Sequence, residues 1–161
     1  MSTIPPIHID IKITENLEAK GEIRQDLVIE APYETKINQH VDEVSARIAY
    51  WGTMLAEANR QLSIRKIDHD MWLATKKQEA CSKKDFKSET AKLDAVMMSN
   101  TEEYAKQIKD MIDSTYNVEV LKSILDAFKS KKDMLVSLSA NVRSEQERDA
   151  LIKQYNSKIN G

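Results

Sequence analysis

Six lysines crowd the stretch KKQEACSKKDFKSETAK, residues 76–92: Lys76, Lys77, Lys83, Lys84, Lys87 and Lys92. Glu79, Asp85 and Glu89 oppose them, leaving a local excess of three positive charges, and Phe86 is the only aromatic in the run. Ammonium groups along a chain with a π face among them suit the holding of a single-stranded nucleic acid. Cations follow the phosphates and an aromatic ring takes a base. A second cluster, Lys122, Lys129, Lys131 and Lys132 against Asp126, carries the same excess. Its members Lys129, Lys131 and Lys132 join Lys76, Lys77, Lys83, Lys84, Phe86 and Lys87 as candidate contacts. The plainer reading is that both clusters keep helix ends solvated, and taken alone a charge run favours it.

Other chemistry finds little support. Three scattered glycines, Gly21, Gly52 and Gly161, make no phosphate-binding loop. His8, His40 and His69 sit in unrelated settings, and none forms an HExxH motif or a Cys/His cluster, so no metal site is expected. Asp68-His69-Asp70 are adjacent residues that diverge on a helix, so His69 reads as a solvated or seam-breaking residue. Cys81 has no identifiable base, which makes it an incidental thiol. The expectation is a protein with no catalytic residues and no cofactor.

The chain has 161 residues and a net charge of -2, so bulk charge names no partner. Its distribution is uneven: residues 1–35 hold three basic against seven acidic side chains, an acidic head on a mildly basic body. A single cysteine allows no internal disulfide and suits a reducing cytoplasm. MSTIPPIHIDIK does not read as a signal peptide, and no apolar run is long enough to span a membrane.

These residues need elements to position them. IHIDIKI, residues 7–13, alternates isoleucine with polar residues and predicts a half-buried strand. EIRQDLVIE, residues 22–30, is the candidate second strand; TENLEAKG is the link between them and Pro32 the stop. Beyond Pro32 the period changes. Ile37, Val41, Val44, Ile48, Trp51, Leu55, Ala58 and Leu62 follow a 4-3 spacing, a heptad seam. Apolar residues then shift to Ile64, Ile67, Met71 and Ala74, which predicts a slipped seam. The helix is expected over about residues 33–80, roughly 70 Å long, in an elongated molecule. Trp51 and Trp72 read as core, and Met97, Met98 and Met111 as packing residues. A short helix from Ser88-Glu89 to Met98 stops at Asn100, and Thr101 caps a second long helix. Tyr104, Ile108, Met111, Thr115, Val118, Leu121, Leu125, Phe128, Leu135 and Val142 mark its face.

The predicted fold is mainly α. A long antiparallel helical hairpin or coiled coil occupies residues 36–145, with the lysine run near its tip. A β arm precedes it over 1–35, and a charged helix or tail follows over 146–161. The apolar faces are wide enough to predict self-association or a covering third helix.

AYWGTML, LATKKQEACSKKDF, FKSETAKL and YNVEVLKSILDAFKSKKDML occur in an order that resembles the UvsY-type recombination mediators of tailed phages. The likeness spans roughly residues 40–145, with FKSE its most literal part. It implies a small helical protein that closes into a ring of about six or seven subunits. Such a protein binds single-stranded DNA coated with single-strand-binding protein and helps load a RecA-like recombinase, here in the host cytoplasm. By position, the family's binding run carries over to Lys76, Lys77, Lys83, Lys84, Phe86 and Lys87. The run here has fewer aromatics and no arginine, and the acidic head has no counterpart. The competing expectation is a helical structural or adaptor protein of a phage, whose lysines only solubilise it.

Overall fold

Isoleucine at every second position builds the first strand. The computed structural model describes residues 7–29 and 33–159. Strand β1 covers His8–Thr14 and β2 covers Leu17–Glu22, paired as a two-stranded sheet. Helix α1 is Ile23–Leu27, α2 Tyr33–Lys83, α3 Glu89–Ser99 and α4 Thr101–Ile159. The protein is mainly α, with long helices and a small N-terminal β-hairpin.

The hairpin corrects one expectation. Its second strand lies in the segment assigned to the link, and residues 23–27 of the expected strand are helical. Leu17, Ala19 and Gly21 alternate with Glu18, Lys20 and Glu22, so the period of two was present in small residues. Glu15 and Asn16 make the turn, with the Asn16 amide donating to Thr14 Oγ1 at 3.3 Å. Pro32 and residues 1–6 lie outside the described residues.

The chain forms two compact units. The first comprises residues up to Asp10, Lys20–Gly52, and those from Ser123 onward. In it Ile37, Val44 and Leu135 form a buried core, against which Ile29, Val41, Ile48 and Leu138 pack. Trp51 and Phe128 have no exposed surface. A Cβ on Gly21 would lie 3.1 Å from Trp51 Cζ2, so glycine is what lets the chain pass this close to the indole.

The second unit comprises Ile11–Ala19 and Thr53–Lys122. Ile11, Ile13 and Ala19 are buried, and Asn117 Nδ2 donates to the Lys12 carbonyl at 3.2 Å. A lone hairpin is marginal in water, and this docking on α4 supplies the missing burial. Within this unit α2 and α4 are antiparallel neighbours: Arg65 reaches Asp110 at 3.6 Å, while His69 Nδ1 lies 3.1 Å from Gln107 Oε1.

The heptad seam holds further than expected. Ile37, Val44, Trp51 and Ala58 are buried, and Val41, Ile48, Leu55 and Leu62 half-buried between them. It then does not slip. Arg65, His69, Trp72 and Lys76 keep the spacing and are half-buried, whereas Ile64, Ile67 and Met71 are exposed. The side-chain register of a continuous helix does not shift within one turn, so Arg65 and His69 occupy the seam and bond across it. Met98 is 82% exposed and does not pack, and Ser114 rather than Thr115 takes the inward position on α4.

Helix ends follow local chemistry. Ser88 caps α3, its Oγ accepting from the Ala91 amide at 3.2 Å. Asn100 ends α3 and its carbonyl accepts from Tyr104 N at 2.9 Å. Asn100 therefore sits at the cap position expected of Thr101, whose hydroxyl donates back to the Met97 carbonyl at 2.9 Å. The C-terminal segment continues α4 to Ile159, and its side chains from Arg143 through Lys158 are exposed.

Candidate nucleic-acid interface

Helix α2 ends at Lys83, and five residues, Lys84-Asp85-Phe86-Lys87-Ser88, join it to α3. Lys83 in the last turn of α2 and Glu89 in the first turn of α3 both complement the helix dipoles. Part of the charge pattern thus has a local structural cause.

Ion pairing sorts the six lysines into two groups. Lys76 meets Glu79 at 3.4 Å, while Lys77 and Lys92 meet Glu89 at 3.7 and 2.7 Å. The Lys92 ammonium holds the Glu89 carboxyl below the usual carboxylate range, and Glu89 in turn raises Lys92. Lys83, Lys84 and Lys87 are exposed and meet no carboxylate among the described residues. Phe86 lies among them, half-buried. The end of α2 and the connecting segment therefore present three exposed ammonium groups flanking one partly accessible ring in sequence. That arrangement can neutralise phosphates and offer one stacking face.

The second cluster does not stay together. Lys122 and Lys132 are exposed, and Lys129 is exposed and 3.3 Å from Asp126. Lys131 is only 7% exposed, with Nζ donating to the Asp26 carbonyl at 2.6 Å and the Val28 carbonyl at 3.2 Å. Burial pushes this ammonium below the usual lysine range, against the opposing pull of Asp26 and Glu43. Lys131 thus leaves the set of exposed candidates. Successive helical residues point about 100° apart, so a run of lysines cannot share one face. Lys76–Lys92 fall in one compact unit and Lys129, Lys131 and Lys132 in the other.

Sequence reasoning missed an aromatic group in the unit of the lysine segment. His69 stacks on Trp72 with ring centroids 6.1 Å apart and planes at 23°, and Tyr104 lies 5.8 Å from His69. The signal was the i,i+3 spacing of His69 and Trp72 on the continued seam. His69 is therefore a half-buried polar residue on the seam, packed against Trp72 and bonded to Gln107, and not a solvated one. Cys81 is a free, exposed thiol. Among the described residues no cluster of three metal-ligating side chains occurs, and no helix is long and apolar enough to cross a membrane.

No protein-family model matches this chain, and no curated protein or solved structure does either.

Proposed function

We propose that the protein is a non-enzymatic, self-associating single-stranded DNA-binding protein that helps load a RecA-like recombinase during phage DNA recombination and repair. The observation that carries this reading is the trio Lys83, Lys84 and Lys87, exposed and, among the described residues, without acidic partners, with Phe86 between them in sequence. Solubility alone does not require an aromatic between free cations, whereas strand binding uses both. The order of segments shared with UvsY-type mediators supports the same reading and supplies the recombinase and the single-strand-binding protein as partners. A few contacts per subunit are weak, and repeating them around an oligomer multiplies them.

The test is a fluorescence titration with a labelled single-stranded oligonucleotide at several salt concentrations. Binding is expected to weaken with a logarithmic slope of about -0.7 per phosphate contact. Replacing Lys83, Lys84 and Lys87 together by Ala should lower affinity and flatten that slope while leaving helicity intact. An unchanged affinity in this variant rejects the assignment.

A second reading is a helical adaptor that binds protein only. The exposed apolar residues favour it: Ile64, Ile67 and Met71 on α2, with Ile112, Tyr116, Leu151, Ile152 and Tyr155 on α4. An oligonucleotide ignored by the wild-type protein in dilute buffer would select this reading.

A further inference from the structure

Among the described residues Lys131 is the only buried lysine, and what engages its ammonium is the acidic head of the same chain. Its Nζ holds the carbonyls of Asp26 and Val28 at 2.6 and 3.2 Å. Beside it Arg47 Nη2 meets the Asp26 carboxylate at 3.0 Å. Lys36, His40, Glu43 and Arg47 recur at 4-3-4 spacing along one face of α2. With Asp26 and Lys131 they line a cavity of about 390 Å³. This face gathers three basic side chains, Lys36, Arg47 and Lys131, against the single carboxylate of Glu43. Asp26 of the arm brings the other negative charge.

The arm offers these cations what a phosphodiester would offer: an anionic oxygen pair for a guanidinium and unprotonated oxygens for an ammonium. It also comes from the acidic part of the chain, with seven carboxylates against three basic side chains in residues 1–35. We infer that the arm segment around Asp26 is an internal stand-in for nucleic-acid phosphate, masking Arg47 and Lys131 of a second cationic site whose third member, Lys36, is exposed at its rim. This inference rests on the single-strand reading above and adds regulation to it. In the docked state the segment around Lys83, Lys84 and Lys87 is exposed, whereas Lys131 and Arg47 are engaged by the arm. With the arm displaced, a further set of cations becomes available to phosphates in the first unit.

Two variants displace the arm by independent means. Asp26→Ala removes the anion facing Arg47. Gly21→Leu puts a side chain where even a Cβ would lie 3.1 Å from the Trp51 ring. Both are made on a Trp72→Phe background, so that Trp51, fully buried, reports arm release by a red shift of its emission. Binding of labelled oligodeoxythymidylate is then measured from low to high salt. A freed arm should tighten binding in dilute buffer by roughly fivefold or more, and steepen the salt slope by about 0.7 for each additional phosphate neutralised. Adding Lys131→Gln and Arg47→Gln should return both quantities to the parental values.

Red-shifted Trp51 with unchanged affinity and slope overturns the mask while leaving the main assignment standing. Unshifted Trp51 in both variants also overturns it, since the arm is then a fixed part of the fold. No binding by any variant at low salt sinks the single-strand reading itself, and the mask with it.

Discussion

At the scale of single residues, partners decide what a charge does. Glu57 accepts from Arg60 at 2.7 Å and from Gln61 at 2.9 Å, and these hydrogen bonds bring its pKa from 4.5 down to about 2. Because the folded value lies below the unfolded one, the stabilisation from this group is complete above about pH 4.5 and is lost as pH falls toward 2. A carbon-detected NMR titration should find Glu57 still ionised at pH 3, and Arg60→Met should move it back toward the ordinary carboxylate range. Lys131 makes the opposite case of a cation taken out of water. Replacing it by Ala strands two carbonyls and should cost about 1–3 kcal/mol in urea denaturation. Ala at the exposed neighbour Lys132 should cost less than about 0.5 kcal/mol.

At the scale of elements, caps and periodicity place the boundaries. Helix α3 has 11 residues, too few to persist alone. It depends on Val96, which is 1% exposed, and on its Ser88 cap. Ser88→Ala should cost about 1 kcal/mol, read as a lowered denaturation midpoint. Along α2 the same arithmetic separates the seam from the exposed stripe. Trp51→Ala should cost about 3–5 kcal/mol, whereas Ile67→Lys, at a site 57% exposed, should change stability by less than about 0.5 kcal/mol. An equal cost at the two positions would refute the continuous seam. The short helix was legible from its ends, Ser88 and Asn100, whereas the cap of α4 was misplaced by one residue, since Asn100 and not Thr101 occupies it. The second strand was not legible, because its inward residues, Ala19 and Gly21, are too small to register as an apolar alternation.

At the scale of the whole molecule, a net charge of -2 conceals a division between an acidic head and lysine-bearing helices. Net charge therefore supplies no long-range attraction for a polyanion, and the proposed function rests on local contacts summed over copies. Ile64, Ile67 and Met71 on α2 and Ile112, Tyr116, Leu151, Ile152 and Tyr155 on α4 are exposed, and the proposed self-association is what would cover such residues. Sedimentation velocity should show a mass that rises with protein concentration, and further with oligonucleotide present. A strictly monomeric species at all loadings would remove the multiplication of weak contacts on which the proposed function depends.

Heptad spacing, breaker residues and capping chemistry were enough to predict long helices from about residue 33, a short helix between them, and a strand built on alternating isoleucines. All of these are local, set within a few residues by backbone and solvent. Pairs one helical turn apart, such as Lys76–Glu79 and Lys92–Glu89, are local, but tertiary structure decided the remaining pairings, which join residues of different elements. Lys77 meets Glu89 across the α2–α3 junction, and Lys131 meets carbonyls 103 and 105 residues away. Lys83, Lys84 and Lys87 are left to solvent. A lysine reads the same in every one of these settings, and only its burial and its neighbours separate a phosphate contact from a clamp.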